Sequence, residues 1–477
     1  MTVKIEQFGG IAPRQHPTLL ADGMATVAMN VKLESGKLVP LREPAVAALS
    51  ADMAKLYGSA GSMENAKSLH VWRRAGGGFD FLAFKGVTWM ARGNVADDEL
   101  TRVIVSGDRT GNGSVDAPVM YAREEGVVNS PVEIAKNAFG APHVERVTST
   151  SLSNGNVRYT RFFVTWVDKY GMESPVSPAS QINNNGTWVD GDLEYLDGDT
   201  VKINQLTLPS GAGTLAKKVR VYKVVTGTSE GRVQFVTEVN ATTATGSGGF
   251  SFLVKDENAG EILPEIENAP ADLTCIQGVP GSFYCGFSKS KPKTVCFSDV
   301  DLLYSWPIAY RYDVEDNIVA LAVTSNSVFA LTEGWPYVLS GTAPESMSVA
   351  KLAGPAACVS QRGVCVYRNA VYFASNEGLM SIFNSADSGT VCQNLTKDIF
   401  TKDQWQAYNP SSCVMGQHDG RLFLFFTMGS GSDTSHAGLT INLMENSAIA
   451  VTTHNEAAKC LCVDTASDKM YFVREAS

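Results

Sequence analysis

The loop Asp108-Arg109-Thr110-Gly111-Asn112-Gly113 sets oxygen donors at the spacing of a calcium loop. Asp108, Thr110 and Asn112 fall on ligand positions one, three and five, and Gly113 on the turn position six. Position twelve is Val119, so the bidentate carboxylate is missing, and no helical pattern flanks the loop. A turn-rich loop is the better reading. Asp190, Asp192, Asp197 and Asp199 form a second acidic cluster; a cation is conceivable, and a solvated loop between strands is the default. Gly281-Ser282-Phe283-Tyr284-Cys285-Gly286-Phe287-Ser288 has Walker-like glycine spacing. Phe287 stands where the phosphate-binding Lys is required, and a strand replaces the helix start, so phosphate cradling fails. Gly76-Gly77-Gly78 reads as a hairpin loop.

Thiols and imidazoles give no centre either. The nine cysteines all lie at or after Cys275, and no pair is spaced CxxC. Cys460-Leu461-Cys462 puts two thiols on one face of a strand. The six histidines (His16, His70, His143, His418, His436, His454) have no ligand spacing with them. The cysteines read as reduced, mostly buried small hydrophobes. Ser385-Ala386-Asp387-Ser388-Gly389-Thr390-Val391 resembles the S-x-D-x-G-x-T-W box of sialidase propellers. Val391 replaces Thr, Cys392 replaces Trp, and the box occurs once, so it reads as a polar turn. Trp306-Pro307, Trp335-Pro336, Tyr304, Tyr310 and Tyr312 have the chemistry to stack on sugars, but fit core or subunit interface better. No G-x-S-x-G, H-E-x-x-H or Cys/His nucleophile pattern occurs. No catalytic, cofactor-binding or metal residue is therefore assigned, and the chain is read as a non-enzyme without cofactor.

The elements that hold these residues are short. Four-to-eight-residue β runs alternate with Gly, Asn, Asp and Ser, as at Ser68–Arg73, Phe79–Phe84, Val87–Ala91, Arg102–Val105 and Lys218–Val225. Ala45–Tyr57 is the best helix candidate. Arg158–Asp168 reads as one strand, apolar or aromatic on both faces. Lys169–Pro178 then supplies a Gly turn and two prolines that force an extended edge. From residue 271 a strand–turn–strand unit recurs every 40 to 50 residues, within the range of a propeller blade: Cys275–Phe287, Val364–Ala374, Val414–Phe426 and Leu461–Val473. Val319–Leu331 with Trp335–Leu339, and residues 68–91, have the same build. The expected fold is all-β, a propeller split by a sandwich insert. The expected divisions are an N-terminal arm with a short hairpin (1–50), first blades (51–141), the insert (142–268) and the remaining blades (271–477).

Composition narrows the function classes. Of 477 residues, 44% are hydrophobic and 18% charged, which suits a large core and fits either surfaces buried in an assembly or a β-rich fold coated with Ser, Thr, Asn and Gly. Lys plus Arg (39) against Asp plus Glu (49) leaves a net charge of −10, with no basic run, which argues against tight nucleic-acid binding. No apolar stretch approaches the roughly 18 residues of a membrane span. MTVKIEQFGG lacks the charged-then-apolar pattern of a signal peptide, so folding in a cytosol is expected.

Two resemblances complete the reading. TWVDKYGMESPVSP with KKVRVYKVV resembles a fibronectin type III or other Ig-like module over residues 142–268, without a Cys…Trp…Cys framework. Residues 8–44, FGGIAPRQHPTLLADGMATVAMNVKLESGKLVPLREP, resemble the N-termini of tail-tube and nozzle proteins of short-tailed bacteriophages. The strands Asn30–Leu33 and Lys37–Leu41 fall in this segment, which has little to bury alone and must dock on its own body or on a neighbouring copy. The resemblance implies a virion tail protein assembled in the host cytoplasm. Six identical subunits would continue the portal and adaptor channel, hold the genome end, and let DNA pass without tight binding. Fibre or spike proteins would attach at its flank or tip. The alternative is a carbohydrate-binding adhesin-type propeller.

Overall fold

The computed structural model describes residues 8–34, 37–47, 56–93, 98–124, 127–226, 231–255, 260–354, 356–385, 389–429, 434–443 and 449–475. The protein is all-β, with 49% strand and 7% helix. It divides into two compact units. The first comprises residues 1–132, 270–301 and 309–477, and the second residues 133–269 and 302–308.

In the first unit, seven small sheets follow one another along the chain from Leu56 among the described residues, with the short pair Arg123–Glu124 and Val127–Val128 beside the second. The first holds Ser68–Arg73 and Phe79–Phe84, with Leu56–Tyr57 added parallel to Phe79–Phe84. The second begins with Thr88–Arg92, Val103–Gly107 and Asp116–Tyr121. Four-stranded meanders start at Leu273, Ile318, Val364 and Val414. The seventh has two strands, Ala458–Asp464 and Lys469–Arg474. The first strand of each sheet packs beside that of the next, and Ala458–Asp464 packs beside Ser68–Arg73. Hairpin tips carry the residues their turns demand. Arg368-Asn369 and Asp419-Gly420 have positive φ at both central positions of two-residue connections, the conformation that follows strand twist. Each hairpin aligned by sequence after residue 271 contains paired strands. The stretch 68–91 instead spans the first sheet and the start of the second.

The N-terminal segment docks on this unit. Gly10–Ile11 pairs with Met24–Ala25, and Val31–Glu34 with Lys37–Pro40. Ile11 and Ala28 are buried in one cluster with Leu422, Leu424, Leu439, Ile441 and Val451 of the sixth sheet. The backbone joins in: Asn30 N–H donates to the Thr453 carbonyl (2.7 Å) and Thr453 N–H to the Ala28 carbonyl (2.9 Å). Gly10, at φ +96°, lies so close to Val451 that a Cβ would sit 2.6 Å from its carbonyl oxygen. Of the expected helix, Ala45–Ala47 is not helical, Leu56–Tyr57 is a strand, and 48–55 lie outside the described residues.

The second unit has a five-stranded sheet and a three-stranded sheet sharing one core. Val144, Val201, Ile203 and Val254 face Phe162, Val164, Trp166, Val219 and Val221 there. The single strand expected at Arg158–Asp168 is two. Arg158–Thr160 pairs with Leu193–Tyr195, and Phe162–Asp168 with Ala216–Thr226. The chain changes partner at Arg161, whose guanidinium turns out to Asp192 (2.6 Å).

Candidate functional site

The sequence-nominated loops have structural partners. Asp108 accepts N–H bonds from Gly111 (2.6 Å) and Gly113 (3.0 Å), and Asp116 accepts from Arg109 (2.7 Å) and Thr110 (3.0 Å). Both carboxylates fold back on their own loop, which explains the Asp and Gly spacing without a cation. In the second cluster Asp199 binds Arg146 (2.5 Å) and Asp192 binds Arg161 (2.6 Å). The Arg146 hydrogen bond holds the Asp199 carboxyl below the usual carboxylate range. Among the described residues no three His, Cys, Asp or Glu side chains converge as metal ligands. Gly281-Ser282 forms a hairpin turn with positive φ at both residues. Residues 386–388 of the sialidase-like box lie outside the described residues.

The aromatic candidates pack inward. Trp306 is fully buried and donates its indole N–H to the Leu303 carbonyl (3.0 Å). Tyr310, Tyr312 and Trp335 pack on the core of the third and fourth sheets, and Lys351 Nζ lies 5.0 Å over the Trp335 ring. Tyr304 is partly buried, and burial pushes its phenol up. All nine cysteines are free thiols, six of them buried. Burial pushes Cys275, Cys358, Cys365 and Cys460 up to about 12, far from the reactive thiolate range.

Sequence reasoning missed a buried network in the second unit. Asp168 accepts N–H bonds from Tyr170 (2.8 Å) and Met172 (2.9 Å) and pairs with buried Lys136 (2.9 Å), fixing the turn at Gly171. Glu173 then accepts from Thr165 (2.5 Å), Tyr222 (2.7 Å) and Arg220 (2.9 Å). Beyond it, Ser174, Ser177 and Ser180 donate N–H to the carbonyls of Trp166, Val164 and Phe162, and their Oγ atoms accept the N–H of the same three residues. The three-residue serine spacing was the signal. It lets a segment containing Pro175 and Pro178 pair with a strand although proline has no N–H.

Three concavities of the first unit stand out among the described residues, the smallest, of about 430 Å³, lined by Tyr57, Arg74, Asp80 and Arg123. A second, of about 550 Å³, is lined by first strands of several sheets, including Ser68–Val71, Val364–Val366 and Cys460–Asp464. His70 Nε2 is 3.0 Å from Thr88 Oγ1 there, and burial lowers His70 to about 4. The third is a groove of about 940 Å³ lined by Leu41–Ala47, by Phe423, Phe425 and His454 of the sixth sheet, and by Met470–Phe472 of the seventh. His454 is buried against Phe425 (ring centroids 5.0 Å) and over Gly438, where a Cβ would meet its ring at 1.9 Å. Burial lowers His454 to about 4. The groove rim balances charge: Arg474 pairs with Glu456 (2.9 Å) and Arg421 with Asp419. Beside it the N-terminal segment is two-sided. Ile11, Ala28 and Leu33 are buried, while Leu19 (75% exposed), Val27 (72%), Met29 (56%), Leu38 (47%) and Val46 (97%) are bare.

No family model and no curated protein matches the chain. Solved structures that match include AztD of Citrobacter koseri, at 11% identity over 66% of this chain and 75% of that one, with a TM-score of 0.28. The apo form of AztD from the same organism matches at 11% identity over 66% and 76%, with a TM-score of 0.27. Likeness at that level decides nothing about this chain.

Proposed function

We propose that the chain is a structural virion protein of a short-tailed bacteriophage. Six copies form a tail nozzle or tube ring below the portal and adaptor, retain the genome end, conduct DNA at ejection and carry fibre or spike proteins. One observation carries the reading: an N-terminal segment that buries Ile11 and Ala28 on its own sheet while leaving Leu19, Val27, Met29, Leu38 and Val46 bare. Several bare large apolar side chains on one short segment suit a protein contact, and identical subunits covering them in turn would close a ring. The first unit is read as a seven-bladed β-propeller, supported by the circuit of first strands that returns from Ala458–Asp464 to Ser68–Arg73. The second is read as an Ig-like insert, supported by two sheets packed on a common core. The net charge of −10 suits a channel wall that releases phosphates.

The adhesin reading needs an exposed aromatic platform; Trp306 is buried and Lys351 covers Trp335. Imaging of the purified chain as single particles tests the proposal. A sixfold ring is expected. A monomer at every concentration, or a ring of another symmetry, overturns it.

A further inference from the structure

We propose that the cavity between the first and second sheets binds a small oxyanion, a carboxylate or a phosphate, through Arg123. The site lies within one chain and is independent of the assembly reading. Its volume, about 430 Å³, is that of a small-molecule site. Among the described residues its charged lining is Arg74, Asp80, Glu99 and Arg123.

Arg123 is the member left short of acceptors. Its side chain is 6% exposed, and the guanidinium lies 4.0 Å over the Trp72 ring. It pairs with Asp80 (2.5 Å), which is fully buried. Asp80 is also held by Arg74, whose Nε and Nη2 both donate to it. One carboxylate thus serves two guanidiniums. Arg123 Nε is buried and has no hydrogen-bond partner. A buried cation needs its donors filled to offset lost hydration. An unfilled guanidinium donor on a cavity wall therefore calls for an acceptor from outside, and an oxyanion fits a guanidinium fork.

Thr101, on the same wall, has the same need. Its Oγ1 is buried without a hydrogen-bond partner. Its φ is +45°, and among the described residues it is the one β-branched side chain at positive φ. Such backbone is costly for a β-branched residue and persists only where the surroundings impose it, as they do at ligand sites. Trp72 imposes it here: the indole N–H donates to the Thr101 carbonyl (2.8 Å). The Arg123 N–H donates to the Leu100 carbonyl (2.9 Å), which seats Arg123 beside Thr101. Gly76 and Gly77 also line the cavity, and a Cβ added to either would meet nothing within 4 Å, so this part of the wall is open. Glu99 is exposed, and its charge opposes an incoming anion.

Titration of the full chain with sodium phosphate and with sodium acetate, against sodium chloride at equal ionic strength, tests this. The readouts are binding heat and melting temperature. Saturable binding of phosphate or acetate is expected, with a rise in melting temperature that chloride does not give. The anion that saturates at the lower concentration identifies the oxyanion. Arg123→Met is expected to weaken binding about tenfold or more, because the charged donor is lost. Glu99→Gln is expected to tighten it about threefold, because a like charge is removed. Thr101→Gly relieves the positive φ and removes the hydroxyl, and is expected to weaken binding about fivefold. Failure of both anions to saturate, or unchanged binding in Arg123→Met, overturns the proposal. If Arg123→Met does not fold, the other two variants decide: tighter binding in Glu99→Gln with weaker binding in Thr101→Gly upholds the site, and any other pair of results overturns it.

Discussion

His70 and His454 are the residues whose chemistry the fold alters most plainly. Both stay neutral down to about pH 4 because burial penalises the imidazolium, whereas in the unfolded chain they take a proton near the ordinary value of 6.5. The native state thus binds fewer protons between those values. Stability is fully present above pH 6.5 and is lost as pH falls toward 4. Urea unfolding across that range should show the loss, and the double variant His70→Gln/His454→Gln should flatten the slope. Gly438 exists for His454: the ring covers the glycine, so Gly438→Ala should destabilise by ~1–3 kcal/mol, read as a lower unfolding midpoint. Glu173 is buried and takes three donors, so Glu173→Leu should cost ~3 kcal/mol, mainly by leaving the buried Thr165 and Tyr222 hydroxyls without their acceptor, whereas Arg220 keeps Glu238 (3.0 Å). At this scale the sequence was readable where a side chain serves its own loop, as Asp108 does. It was opaque where partners are distant, because Glu173 and Tyr222 meet only when two strands are in register.

At the scale of elements, hairpins were legible and sheet membership was not. Alternation and turn residues mark Val414–His418 and Arg421–Met428 directly. Nothing local marks the change of partner at Arg161, since both halves of Arg158–Asp168 have the same alternating pattern. The N-terminal segment has little to bury alone, so it must dock on its own body or on a neighbouring copy, and removing residues 1–44 is expected to weaken assembly more than folding. Yet Ile11 and Ala28 help to build the core of the sixth sheet, and the Val31 and Leu33 carbonyls accept bonds from Thr452 (2.9 Å) and Arg421 (3.0 Å). Deletion of residues 1–44 should therefore lower the melting temperature of the monomer as well. Gly10→Ala should loosen the segment without removing it, because L residues resist its φ and the Cβ meets Val451. Faster proteolytic clipping before residue 40 is the expected readout.

At the scale of the molecule, surfaces sort by what covers them. Buried thiols should be silent: a thiol reagent should label the native chain slowly and reach all nine cysteines only after unfolding. Leu19, Val27, Met29, Leu38 and Val46 are the large apolar side chains of the N-terminal segment that ask for a neighbour. The opening segment only suggests a class of assembly, and the end of a sheet is not legible at all, because an unpaired strand has the same sequence pattern as a paired one. The account stands on repeated copies of an inert β-rich subunit enclosing a channel. Single-particle images of the purified full chain test that most directly: the account predicts closed rings of six, and particles that remain single subunits at high concentration would contradict it.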